Sequence, residues 1–544
     1  MMIPLDWMPP LMFGGLIVFM IIGYPVAFSL CAVGFFFGFL AIEMNYFTMA
    51  FMQAIPGRVF GSILSNELLL AIPFFTFMGA ILEKCGLAED MLESMGQLFG
   101  PIKGGLGYST IIVGFILGAI TGTVAAQVIA MALITLPVMM RYKYDMRYAT
   151  GVLAASGTIT QLVPPSLVLV VLADQLGKSV GDMYLGAWGP SILQIVLFAA
   201  YTFYLTLVKP DALPPVPRTL FGRALLVKCD WGIIPAGVLI FLVLGTIMMG
   251  LATPTEAGAM GTIGAIVLAV VRNAPLTKFD RIMFVGGCVA AIVGGLIGAV
   301  PKTTVSFLGF KSLPFQIAFT VMFASVIWLC WRAWQFKELR DLIVQAMQAT
   351  MRITAMVAFI LVGATCFSIS FAGVDGGHWV EHLLTGLPGG VWGFLIVVKV
   401  FVFFLAFFLD FFEIAFIIVP MLAPVAQKVL TPVVGADAAL IYFGVMLCVN
   451  MQTSFMHPPF GFALFYLRSV APKEVKSSDI YWGSIPWVVL QLILVAIVIA
   501  FPKAVTIFLD KPHGIDPSKV KIEIQAPPSE DSAPPIFGVP PARN

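Results

Sequence analysis

Residues 440–467 make a stretch apolar enough to cross a bilayer, yet its middle reads NMQTSFMHPPFG over residues 450–461. Asn450, Gln452, Thr453, Ser454 and His457 run directly into the pair Pro458-Pro459. Two adjacent prolines remove two amide donors and collide with the preceding turn, so a helix here has to break. Broken backbone inside a bilayer survives only when it is buried in protein or lines a polar cavity. A second stretch repeats the arrangement, with TITQLVPPS over residues 158–166 carrying polar residues into Pro164-Pro165. The two proline pairs are offset by 294 positions. Asp182-Met183-Tyr184-Leu185-Gly186 is echoed by Asp479-Ile480-Tyr481-Trp482-Gly483 at an offset of 297. Two matches in one order at nearly one offset indicate an internal duplication.

The rest of the chain suits such a setting. Of 544 residues, 60% are hydrophobic and 11% charged, with a mean hydropathy of +1.01, whereas soluble domains carry about 25% charged residues. This is an all-α polytopic membrane protein. The net charge of +2 comes from basic residues scattered through loops, which gives no footprint for a nucleic-acid partner. The start, MMIPLDWMPP, lacks the basic residues of a signal peptide. The seven cysteines are isolated and read as small apolar residues. No GxxxxGK[ST] phosphate loop, nucleophile–base pair or transition-metal spacing is present, so neither an ATPase nor another enzyme is expected, and no cofactor.

Hydropathy divides the chain as follows. Residues 1–67 hold an N-terminal scaffold and an interfacial arm; within them, 11–42 read as one kinked span or two short ones, interrupted at Gly23-Tyr24-Pro25. Residues 68–208 form a first repeat, with a helical hairpin at 105–140 interrupted at Thr121-Gly122-Thr123 and a broken helix at 149–173. Residues 209–282 give a hydrophilic loop and two scaffold helices, and 283–331 two extra helices. Residues 332–502 form a second repeat, with a hairpin at 391–428 and a broken helix at 438–467. Residues 503–544 are a Pro-rich, flexible tail. If both hairpins re-enter on one side, one face collects 19 of the 30 Lys and Arg, the other six and the tail five. Basic loops stay cytoplasmic, and the two repeats then run in opposite directions. Inverted repeats, each with a re-entrant hairpin and a discontinuous helix, are a secondary-transporter architecture with ligands held near the midplane.

Carbonyls and hydroxyls exposed at such breaks suit a hard cation such as sodium, and helix N-termini suit a carboxylate. For a first sodium site the candidates are Thr121 and Thr123 at the hairpin tip with Ser156, Gly157, Thr158 and Thr160 at the break. For a second they are Asp410, near the tip of the second hairpin, with Asn450, Gln452, Thr453 and Ser454. Thr123, Ser166, Asp410 and Glu413 are candidates to line a substrate path. A lone Thr or Ser in a membrane helix usually bonds its own backbone; clustering beside proline pairs singles these out. Acids at membrane depth are costly and functional by default. His457 reads either as a proton carrier or as a packing histidine that lends its backbone carbonyl. Lys399 snorkels or pairs with an acid, and Glu256 sits at a turn.

Five ordered motifs resemble the large membrane subunit, DctM-like, of tripartite ATP-independent periplasmic (TRAP) transporters. They are GAITGTVAAQ…LPVM (118–139), AASGTITQLVPPS (154–166), ATPTEAGAMG (252–261), FLDFFEIAFIIVPMLAP (408–424) and NMQTSFMHPPFGFALFY (450–466). The likeness covers residues 1–282 and 340–502. It implies a sodium-coupled importer of an organic acid across the bacterial inner membrane, working by an elevator-type mobile domain. It also implies a small four-helix membrane subunit and a periplasmic substrate-binding protein as partners. By the same resemblance, one sodium would lie between the first hairpin tip and the carbonyls of Thr160, Val163 and Pro165. The other would lie between the second hairpin and the Ser454, His457 and Phe460 region. Three features depart from the family pattern: His457 where Thr is usual, the 283–331 insertion and the long tail. The alternative within transport is a binding-protein-independent sodium–dicarboxylate elevator carrier.

The charge count yields a direct test. Single cysteines placed near residue 143 and within 332–352, in a cysteine-free background, should resist an impermeant maleimide added to intact cells, and cysteines near residues 302 and 311 should react. Labelling near 143 from outside would show that the first hairpin spans the membrane rather than re-entering.

Overall fold

The computed structural model describes residues 3–218, 221–298, 313–407, 409–458 and 461–509. Pro459, Phe460, Lys302, Lys311, the middle of the 283–331 segment and the tail from 510 lie outside the described residues. Every regular element among the described residues is helical. Among the described residues eleven helices are long and apolar enough to cross a membrane, and Gly105–Thr121, Leu167–Leu176 and Gly390–Leu405 are shorter apolar ones.

The N-terminal region is two helices, Met8–Ile22 and Val26–Glu43. Gly23 turns left-handed (φ 96°) between them and Pro25 starts the second, a place where proline costs no helical hydrogen bond. Met49–Leu64 then bends by 52° into Glu67–Lys84. Two hairpins follow the same plan. Gly104 and Gly389, both left-handed, open Gly105–Thr121 and Gly390–Leu405. Val124–Arg141 returns from the first tip. The second return limb begins as Phe411–Glu413, passes through a π-turn at Ile414–Ile418 and continues as Val419–Val434. Pro420 offers no N–H to the preceding turn, which suits a local widening there.

Each broken helix loses its α geometry earlier than its prolines. Met146–Thr158 passes into a single 3-10 turn, Ile159–Gln161, before Leu167–Leu176 resumes. Ala436–Met451 passes into Gln452–Phe455 before Phe462–Val470. The cause is local. Thr158 and Thr160 donate to the carbonyls of Ala155 and Gly157 at 2.9 and 2.8 Å. Thr453 and Ser454 donate to Asn450 and Met451 at 2.7 and 2.6 Å. Hydroxyls that take carbonyls three residues back compete with the helix ladder and tighten the turn.

Equivalent positions of the two halves make crosswise contacts. The offset of 294 relates Thr158 to Gln452, and the offset of 297 relates Gln194 to Gln491. Gln194, in helix Val180–Val208, forms a reciprocal amide pair with Gln452 at 2.6 and 3.3 Å. Gln491, in helix Ser477–Ala500, donates to Thr158 Oγ1 at 3.0 Å. Gly483 lies so close to helix Met146–Thr158 that a Cβ would stand 2.2 Å from the Arg147 carbonyl; a Cβ on Gly186, its equivalent, would meet Ile441, the equivalent of Arg147, at 3.2 Å. When residue i of one unit meets j of the other and j meets i, two copies are packed about an approximate two-fold axis.

These buried amides should be separable energetically. Gln194→Leu and Gln452→Leu should each cost about 1–3 kcal/mol in thermal or denaturant unfolding, because each strands its partner. The double variant should fall short of the sum by about 1 kcal/mol, while the unconnected pair Gln194→Leu with Thr158→Val should be additive.

Candidate functional site

The first break is held by a residue that sequence reasoning did not single out. Gln127, fully buried on Val124–Arg141, donates its amide to the carbonyls of Gly114 at 2.6 Å and Ser156 at 2.9 Å. Its Oε1 is in hydrogen-bond contact with Thr160 Oγ1, as an alternative acceptor to the Gly157 carbonyl for that hydroxyl's one proton, and lies 3.3 Å from Thr121 Oγ1. One side chain thus joins both hairpin limbs, the tip and the broken helix. Small residues let these elements approach. A Cβ on Gly114 would sit 2.7 Å from Ser156 Cβ, and one on Gly79 would sit 2.0 Å from the Thr121 carbonyl. Thr121, Gln127, Ser156, Gly157 and Thr160 therefore gather at one point.

Other first-site candidates fall around it. Thr123 is the half-buried, extended residue that starts the return limb, and its side chain caps nothing. Ser156 Oγ is buried without a hydrogen-bond partner. Gly157 packs on Val128, whose Cγ2 would stand 2.1 Å from an added Cβ. Thr158 points instead to Gln491 and to Met456 Sδ, 3.7 Å away. Val163 and Pro165 are buried. Ser166 commits its hydroxyl locally, donating to the Gln161 carbonyl and capping Leu167–Leu176 through Val168 N–H at 3.2 Å.

The second break is held differently. Asn450 reaches across to the second hairpin and donates to the Lys399 carbonyl at 3.0 Å. Lys399 stands 285 positions after Gly114, the same offset that relates Gly389 to Gly104, so a side-chain amide staples the same junction in both halves. The Lys399 ammonium is buried and unpartnered, 5.6 Å from the centre of the Phe443 ring. His457 is wedged between Phe403 and Phe407, ring centroids 4.2 and 4.3 Å away. Both its ring nitrogens lack partners, and its carbonyl accepts from Gly461 N–H at 2.6 Å. Gln452 is taken up by Gln194, and Thr453 and Ser454 bond back to their own helix. Phe460 lies outside the described residues.

Asp410 and Glu413 form a capping box at the start of the return limb. Asp410 Oδ1 accepts from Phe411 N–H at 2.7 Å, and Glu413 Oε2 from Asp410 N–H at 2.9 Å. These carboxylates hold the amides that the tip leaves unpaired. The tip meets the second break through rings, Phe411 and Phe455 lying 6.3 Å apart. At both breaks the available donors are hydroxyl, amide and carbonyl oxygens. Among the described residues no group of His, Cys, Asp and Glu could hold a metal ion. Oxygen donors of this kind match hard cations rather than transition metals. Gln127, Gln194 and Gln491 could have been found: each is an amide inside an apolar span, and the last two stand at the offset of the duplication.

The sequence profile described as "Tripartite ATP-independent periplasmic transporter, DctM component" matches residues 13–329 and 312–504. The chain is 26% identical to the C4-dicarboxylate TRAP transporter large permease protein DctM of Pseudomonas aeruginosa, covering 80% of this chain and 84% of that one. It is 25% identical to the 2,3-diketo-L-gulonate TRAP transporter large permease protein YiaN of Escherichia coli, covering 88% and 94%. It is 24% identical to the sialic acid TRAP transporter large permease protein SiaM of Vibrio cholerae, covering 88% and 93%. With its eleven candidate spans it is a multi-pass protein of the bacterial inner membrane. Two polar breaks, two hairpins and a profile that runs through nearly the whole apolar chain converge on one assignment: the protein belongs to the DctM family, the large membrane components of TRAP transporters.

Proposed function

We propose that the chain is the large permease of a sodium-coupled importer of an organic acid, working with a small four-helix membrane subunit and a periplasmic substrate-binding protein. The observation that carries the reading is the use of hydroxyl protons at the breaks. Thr158, Thr453 and Ser454 each donate to a carbonyl of their own helix, and Thr160 donates either to the Gly157 carbonyl or to Gln127 Oε1, which leaves oxygen lone pairs for a cation. Sodium at the first break would draw on Thr121, Thr160 and the backbone that Gln127 holds; at the second, on Asn450, Thr453, Ser454 and the tip capped by Asp410. The relatives named for C4-dicarboxylates, diketogulonate and sialic acid support a carboxylate as the substrate class. The crosswise contacts of equivalent residues support two inverted repeats, and the paired hairpins an elevator-type movement of the domain that carries both breaks.

Asp410 separates charge from fold. Asn caps a helix as well as Asp does, so Asp410→Asn should keep the tip, expression and assembly. Transport in proteoliposomes that hold the partner proteins should fall about tenfold or more, equivalent to about 1.4 kcal/mol in the coupled step. Removal of external sodium should abolish uptake in the unaltered protein. Uptake indifferent to sodium and to membrane potential would overturn the coupling, and uptake without the binding protein would favour the self-sufficient dicarboxylate carrier. Wild-type rates in Asp410→Asn would leave the acid with a capping role alone.

A further inference from the structure

Away from both breaks, helix Met8–Ile22 and the second hairpin enclose a groove of about 580 Å³ lined wholly by apolar side chains and glycine. Phe13, Gly14, Ile17 and Met20 line it from the N-terminal helix, and Phe401, Phe404 and Met421 from the two hairpin limbs. Along the helix the lining runs from Pro10 to Met20, about 15 Å at the rise of an α-helix. At the Pro10 end a second cavity of about 350 Å³ adjoins it, with Trp379 and Leu383 contributing to both. This second cavity is of mixed polarity, unlike the groove. It presents two carboxylates, Asp6 and Asp375, and two imidazoles, His378 and His382.

We propose that this pair of cavities is a binding site for one bilayer phospholipid with an ethanolamine headgroup. The polarity runs the right way: one acyl chain fills the groove lengthwise, and the headgroup lies among the four titratable residues. The charges also match. Asp6 and Asp375 face an ammonium, and His378 and His382 donate to a phosphate. Among the described residues none of these four side chains has a hydrogen bond or salt bridge within the chain, although the Glu381 carboxylate acts electrostatically on His378, so the polar atoms of all four can turn to a ligand. Exposed Trp7 and half-buried Trp379 mark the level where aromatic side chains anchor at a membrane interface. The acyl chain gains little by leaving the bilayer, because lipid tails are as apolar as the groove. Selectivity therefore resides in the second cavity. The lipid bridges the N-terminal helix and the second hairpin, so its departure loosens the hairpin that carries Asp410.

The site can be tested on the full-length chain in its assembled state, reconstituted in vesicles of phosphatidylglycerol doped with a photoreactive phosphatidylethanolamine, and in parallel with a photoreactive phosphatidylglycerol of the same acyl chains. Adducts from the ethanolamine lipid should map to residues 8–22 or to the second hairpin and exceed those from the glycerol lipid about tenfold. Nothing lies within 4 Å of where a Cβ on Gly14 would stand, so Gly14→Leu and Gly14→Phe should fold, fill the groove and remove most of the labelling. Asp6→Asn with Asp375→Asn should instead erase the preference between the lipids. Equal labelling by both lipids in the unaltered protein, or undiminished labelling in both Gly14 variants, would refute the site. Crosslinking of a Gly14→Cys variant to another membrane protein would also refute it, since a protein helix would then occupy the groove.

Discussion

A backbone carbonyl that loses its helical partner inside a bilayer must find another, because no water is there to take it. Gln127 answers that requirement at the first break. Its amide serves carbonyls on the hairpin and on the broken helix together, at Gly114 and Ser156. At the second break Asn450 ties its helix to the hairpin by donating to the carbonyl of Lys399, within helix Gly390–Leu405. These amides fasten the hairpins to the broken helices where ring contacts and close glycine packing also bring them together. The glycines at 79 and 114 follow from the same need, since the bonds form only if the backbones approach within side-chain reach.

The two halves solve one problem with different residues. The first uses small residues and hydroxyls, so its hairpin lies tight on the break. The second inserts bulk: Phe403 and Phe407 clasp His457, and Lys399 stands where the first half has Gly114. The second tip also needs acids, because its return limb starts with a capping box rather than with the bare Thr123 of the first. The two breaks thus have different surroundings, one polar and compact, the other lined by aromatic rings with Lys399 nearby.

The breaks were legible because proline pairs after polar residues contradict the apolar stretches that hold them, and the duplication because Asp182–Gly186 recurs at Asp479–Gly483. The position of each break was less so. It is set by hydroxyl bonds to carbonyls three residues back, which act upstream of the prolines. Residues 11–42 were ambiguous, since one Gly-Tyr-Pro interruption fits a kink or a turn; the left-handed Gly23 makes it a turn between two helices. The glutamines went unread for a different reason. Gln127 repeats no pattern of the chain, and Gln194 and Gln491 stand out only when the offset of 297 is carried beyond the matched motif.

That distance bears on how the protein is made. Thr158 receives its hydrogen bond from Gln491, 333 residues later, so its partner is synthesised roughly 17–70 s afterwards at about 5–20 residues per second. Throughout that interval Thr158 lacks this donor, although Gln127 can already hold the rest of the break. Its counterpart at Gln452 has no such wait, because Gln194 has already been inserted when it emerges. The crosswise contact at Gln452 can therefore form as soon as that residue is inserted, whereas the one at Thr158, the earlier-made residue, is the last to be completed.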